Sequence, residues 1–145
     1  MREERGVIAV VWKKSGSKWR YAVLQRDKNW EGWELPKGHM EGTPRETLEM
    51  ELREETGITN DDIQKVEDLD RKMSWSFEDR DETVDKEYDC FSVRVSGDTK
   101  LDTTENPHDE HSQALFLRFE DACSLLTYDN QKELLEYVHN RAPPN

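Results

Sequence analysis

The sequence of 145 residues contains no apolar run near the ~20 residues that a membrane span requires. Its opening stretch, MREERGVIAVVWKK, places charge before one short apolar run, which is not a signal-peptide pattern. Two cysteines, Cys90 and Cys123, are too few for a disulfide framework. Positive charge is scarce: 21 Lys and Arg stand against 33 Asp and Glu, a formal net charge of −12. That balance opposes bulk attraction to nucleic acid or to an anionic membrane. It leaves room for an anionic substrate bridged by divalent cations. Hydrophobic residues make up only 33%, below the 37% that are charged, and this composition leans toward disorder. Five Trp, four Tyr, four Phe and clear apolar strand runs return it to a globular domain with a modest core. Repeats and long linkers are absent. The expectation is one domain over residues 1–145, a monomer, in a reduced, soluble, cytoplasmic setting with no membrane partner.

Residues 6–13 (GVIAVVWK) read as a buried strand and residues 19–25 (WRYAVLQ) as its hairpin partner, joined at Ser15, Gly16 and Ser17. Residues 27–42 carry three Gly, one Pro and two Trp and read as loop. Pro44 fits the first turn of a helix with Thr43 as N-cap, and the helix ends before Gly57, a suitable C′ glycine. Residues 63–76 and 86–96 read as two strands around an acidic tip, 78–85. Residues 100–110 read as loop, and 113–118 (QALFLR) as a short strand. Residues 119–126 read as one or two helical turns. Residues 129–140 read as a helix with a Leu134, Leu135, Val138 stripe. Strands mixed with two main helices indicate an α/β or α+β sandwich.

On the helix of residues 44–55, Glu51, Glu54 and Glu55 stand at i, i+3 and i+4 and share a face. Like charges at that spacing repel by roughly 0.2–0.5 kcal/mol per pair. A hard divalent cation offsets the repulsion, and Mg²⁺ prefers oxygen ligands. A solvated acidic face accounts for the same charges. The approach to the helix, Leu35, Pro36, Lys37, Gly38 and His39, adds a glycine that lets backbone come close to a metal or phosphate. It also adds a lysine suited to phosphate. Together they point to metal-assisted hydrolysis of a phosphoanhydride.

Residues 38–58 resemble a Nudix box, G-x5-E-x7-R-E-U-x-E-E-x-G-U with U aliphatic. Residues 51–58 (ELREETGI) match its end and residues 38–41 (GHME) its start. Between them the chain is two residues short, with Gly42 at the place of the first Glu and Met50 at the place of the Arg. In the family those two residues pair and brace the box; here apolar packing of Met50 is the expected substitute. The approach of residues 33–39 (WELPKGH) and the stretch of residues 110–117 (EHSQALFL), followed by 119–122 (FEDA), follow in the family's order. They resemble the branch that cleaves diadenosine tetraphosphate asymmetrically. The resemblance implies a Nudix-type α/β/α sandwich with a mixed central sheet.

The resemblance further implies that Glu51, Glu54, Glu55 and the Gly38 carbonyl hold one to three Mg²⁺ ions, with Mn²⁺ able to substitute. Glu54 or Glu110 would orient or deprotonate the attacking water. Lys37, His39 and Lys86 are the candidates for phosphate contacts. Tyr88 and Tyr128 are the candidates for stacking on a base, and Trp30 or Trp33 for covering the phosphate end. Core or rim packing accounts for each of these aromatics taken singly. Cys90 and Cys123 read as packing residues. The implied substrate is diadenosine tetraphosphate, giving ATP and AMP. Two enzyme alternatives use the same chemistry: trimming of an RNA 5′ end, which the acidic surface disfavours, and hydrolysis of pool mononucleotides. Two non-catalytic alternatives are a nucleotide-sensing domain with a weakened box and a plain acidic structural domain.

Overall fold

The computed structural model describes residues 2–28, 30–103 and 111–141. The chain runs β1 (Arg2–Ser15), β2 (Lys18–Arg26), β3 (Gly32–Glu34), β4 (Lys37–His39) and α1 (Pro44–Thr56). It continues through β5 (Ile63–Asp79), β6 (Glu82–Val95), β7 (His111–Leu117), α2 (Phe119–Leu125) and α3 (Asp129–Arg141).

β1 organises the molecule. From Val7 to Val11 every residue is fully buried, and successive side chains go to opposite faces of the sheet. Ile8, Val10 and Trp12 join one core cluster with Ala122 of α2 and with Leu134, Leu135 and Val138 of α3. Val7, Ala9 and Val11 join the other with Leu48 and Leu52 of α1. A strand covered on both faces needs an unbroken apolar run, and this one has it. The architecture is therefore a helix layer on each side of one sheet, as expected.

The sheet is mixed. β1 pairs with β6 in parallel and with β2 and β4 antiparallel, β5 pairs with β6, and β7 pairs with β2. β1 and β2 are paired only from Trp12↔Tyr21 to the turn. Beyond that point they splay. β4 takes the vacated edge of β1 (Gly6↔His39, Val7↔Gly38, Ile8↔Lys37), and β3 takes that of β2. Residues 32–39 are thus not plain loop as expected. Three-residue strands carry too little local signal to announce themselves and exist through these long-range pairings. The hairpin tip is also shorter than expected. Only Arg80 and Asp81, both with positive φ, make the turn, and most of the acidic run continues the two strands.

α1 follows its local signals. The Thr43 side chain accepts from the Glu46 N–H, the Glu46 side chain accepts from the Thr43 N–H, and Pro44 opens the helix. Gly57, at φ 74°, closes it. Among the described residues no helix is long and apolar enough to cross a membrane.

Candidate active site

The splay of β1 from β2 brings Lys37, Gly38 and His39 beside β1 and in front of α1. Gly38 lies against the Glu51 side chain so closely that a Cβ would collide with the carboxyl group. The Gly38 carbonyl in turn rests on Gly6, where a side chain would strike both that oxygen and the Tyr88 ring. Two glycines 32 positions apart therefore set one close approach of backbone to carboxylate.

Glu55, 5% exposed, lies one turn along α1 and is hydrogen-bonded to Glu51. Burial, and then the neighbouring Glu51, raise its carboxyl well above the ordinary value. Its Oε1 is buried without a hydrogen-bond partner among the described residues. Glu54 is half-buried on the same helix. Two adjacent carboxylates, one with an orphaned oxygen, beside a backbone carbonyl form an oxygen donor set that fits a hard divalent cation. A bound cation would reverse the upward shift of Glu55. As the side chains stand, no three His, Cys, Asp or Glu among the described residues are gathered at metal-holding spacing.

Behind Glu55 lies a buried network that sequence reading missed. His111 Nε2 is 2.6 Å from Glu34 Oε2, and His111 Nδ1 is 3.5 Å from Glu55 Oε2. Arg26 and Lys37 approach the two oxygens of Glu34 at 3.4 and 3.5 Å. The Glu34 carboxyl, which burial alone would raise, is held below its ordinary value by His111 and by the charges of Lys37 and Arg26. The only sequence signal was the motif resemblance around Glu34 and His111. Their meeting depends on both flanking β2, through β3 and β7.

Lys37 also lines a pocket of about 580 Å³ with Lys86, Trp30, Trp75, Phe77 and Tyr128. The side chains of the two lysines are 18% and 15% exposed. Burial, then Lys37, lowers the Lys86 ammonium below its ordinary value, and Glu4 at 3.3 Å counters this. Tyr128, 46% exposed, stands at the mouth with its ring 5.2 Å from that of Trp30. Asn130, on α3, also lines the pocket, and its Oδ1 is buried without a hydrogen bond among the described residues.

The structure thus gathers Gly38, Glu51 and Glu55 in one place, and Lys37, Lys86 and Tyr128 around one pocket. His39 is largely exposed and lies 3.7 Å from Glu4, which it shares with Lys86. Tyr88 is placed differently from expectation. It is 1% exposed, packed against Trp75 at 5.0 Å, and has no open face for a base. Trp75 and Phe77 of β5, read from sequence only as strand residues, line the pocket. Trp33 packs on the core rather than lining the pocket. Glu110 lies outside the described residues.

A family model described as the NUDIX domain matches residues 2–138. The chain belongs to the Nudix family. A search of curated proteins gives no match. Among solved structures, the Nudix chain is similar to a C. elegans Ap4A hydrolase in a binary complex. That match has TM-score 0.75 and 18% identity and covers 95% of this chain and 96% of the other. It is also similar to the E. coli dihydroneopterin triphosphate pyrophosphohydrolase (TM-score 0.78, 16% identity, coverage 98% and 100%). A third is the NUDIX domain of Shewanella oneidensis NrtR complexed with ADP ribose (TM-score 0.75, 16% identity, coverage 97% and 89%). At these identities the likeness is one of fold.

Gly42 and Met50, the two positions expected to depart from the Nudix box, have distinct local surroundings. Gly42 sits at φ 78°, in the left-handed region where a glutamate would be strained, and this turn leads directly into the Thr43 cap. Met50 is half-buried but belongs to neither core cluster, so the expected apolar brace is not what holds the loop. Thr47 holds it instead. Its hydroxyl accepts from the Glu41 N–H at 2.9 Å and lies 2.7 Å from the Glu41 carbonyl, to which it can donate.

Proposed function

We infer that this Nudix chain is a Mg²⁺-dependent pyrophosphohydrolase of nucleoside polyphosphates, and that its substrate is diadenosine tetraphosphate, cleaved to ATP and AMP. The position of Lys37 carries the reading: one ammonium is near both the buried acids behind α1 and an aromatic pocket sized for a nucleotide part. Glu51, Glu54, Glu55 and the Gly38 carbonyl would hold the metal. The chemistry a Mg²⁺ ion would supply there is polarisation of phosphoryl oxygens and activation of water.

The protein's own groups do the rest. Lys37 and Lys86 bind phosphates away from the scissile bond; phosphate between them relieves the repulsion felt by Lys86. Trp30, Phe77 and Tyr128 offer faces to a base. Glu54 or Glu110 takes the proton from water as its oxygen bonds to phosphorus and the bridging P–O bond breaks. His39, exposed beside Glu4, is a further contact for the phosphate chain.

The test is Mg²⁺-dependent hydrolysis of diadenosine tetraphosphate, ATP, an oxidised nucleoside triphosphate and a 5′-triphosphorylated RNA, with products resolved by chromatography. ATP and AMP in equal amounts from the dinucleotide are expected. Preferential attack on RNA or on mononucleotides would overturn the substrate. No cleavage of any member by folded protein with metal would turn the reading to nucleotide sensing, with Gly42 and Met50 the leading cause.

A further inference from the structure

α3, thirteen residues and about 20 Å long, has the nucleotide pocket at its first turn. A second cleft of about 320 Å³ lies at its last turn. We propose that this second cleft is a binding site for a small phosphate-bearing anion, separate from the nucleotide pocket.

Its charge is the reverse of the molecule's. Lys65, Arg94 and Arg141 line it against one acid, Glu67, in a protein of net charge −12. Glu67 is engaged by Arg141 at 3.2 Å. That leaves Lys65 and Arg94 without a carboxylate partner among the described residues. The Arg94 guanidinium lies over the rings of Trp12 and Trp19, at 5.2 and 5.6 Å from their centroids. Its Nε is buried and makes no hydrogen bond among the described residues. A buried donor without an acceptor is costly, and an oxyanion entering the cleft satisfies it. Ser92, 6% exposed, accepts from the Trp12 indole N–H at 2.8 Å and retains its own proton to donate. A guanidinium, an ammonium and a hydroxyl around one cavity suit a phosphate group. The volume is at the lower end for ligand pockets, which fits inorganic phosphate or a small phosphomonoester and not a dinucleotide.

The indole N–H of Trp12 reports on the site directly. The experiment is an NMR titration of ¹⁵N-labelled protein without Mg²⁺, using inorganic phosphate and, separately, ribose 5-phosphate. The Trp12 indole peak is assigned by its loss in Trp12→Phe, and chloride at matched ionic strength is the control. A saturable shift at millimolar ligand is expected, at least tenfold weaker in Arg94→Gln and in Lys65→Gln. Tighter binding of one ligand than the other identifies the free anion or the monoester as the preferred occupant. Lys65 is exposed, so Lys65→Gln keeps the fold even if Arg94→Gln does not. Absence of a saturable shift, an equal response to chloride, or an unchanged affinity in Lys65→Gln would overturn the proposal.

Discussion

Glu34 and His111, 77 residues apart in the chain, meet as a buried pair at 2.6 Å directly behind Glu55. Removing His111 takes the short hydrogen bond from Glu34 and leaves Arg26 and Lys37 as its partners, at a cost of about 2–3 kcal/mol. His111→Ala is therefore expected to lower the melting temperature by roughly 10 °C. The pH dependence has a definite sign. The Glu34 carboxyl is held below its ordinary value of 4.5, so its contribution to stability is present above that pH and is lost as pH falls through the folded value. Wild-type stability should drop more steeply below about pH 4.5 than that of Glu34→Gln. Denaturant titrations between pH 3 and 7, on the order of one unit apart, measure this; parallel curves would contradict it.

Glu55 has the opposite sign. A carboxyl raised by burial and by Glu51 costs stability once pH exceeds its ordinary value. Glu55→Gln removes that cost while keeping the shape. In EDTA at neutral pH the variant should melt at or above the wild-type temperature, while turnover with Mg²⁺ falls by orders of magnitude. Calorimetry and a turnover assay on the same preparation check both halves. A less stable variant that still turns over would contradict the assignment.

Tyr128 stands half-open at the mouth of the pocket lined by Lys37 and Lys86, the proposed nucleotide site. Base stacking is worth roughly 1–3 kcal/mol, so Tyr128→Ala should raise KM about tenfold and change kcat less. Steady-state kinetics on diadenosine tetraphosphate decide it; an unaltered KM would make Tyr128 a packing residue.

Thr47 carries both backbone groups of Glu41 on one buried hydroxyl. Thr47→Val keeps the volume and loses those bonds, at about 1–3 kcal/mol. The same variant should weaken Mg²⁺ binding, because residues 38–41 lose their anchor to α1. Chemical denaturation and calorimetric titration of Mg²⁺ test the two effects.

The parts of this molecule that were legible in its sequence are those fixed by neighbours in the chain. Thr43, Pro44 and Gly57 set both ends of α1, and the Leu134, Leu135, Val138 stripe set the buried face of α3. The short strands at Gly32–Glu34 and Lys37–His39 were not legible, because they depend on the splay of β1 from β2. The same holds at the site. The spacing of Glu51, Glu54 and Glu55 on one helix is local. The meeting of Glu4 with Lys86 and of Glu34 with His111 depends on strand register across the sheet, and Trp75 and Phe77 share a pocket with Tyr128 only through tertiary packing. Tyr88 differs from expectation for the same reason: its register beside Gly6 and its contact with Trp75 bury the ring.

On the proposed function, the carboxylates of α1 hold the ion that drives hydrolysis. The most direct test is paired calorimetric Mg²⁺ binding and turnover of diadenosine tetraphosphate in wild type, Glu51→Gln and Glu54→Gln. Wild type is expected to bind Mg²⁺ and cleave the dinucleotide, and both properties are expected to fall together in each variant while the fold persists. Equal Mg²⁺ affinity in all three proteins, or unchanged turnover in both variants, would contradict the proposed function.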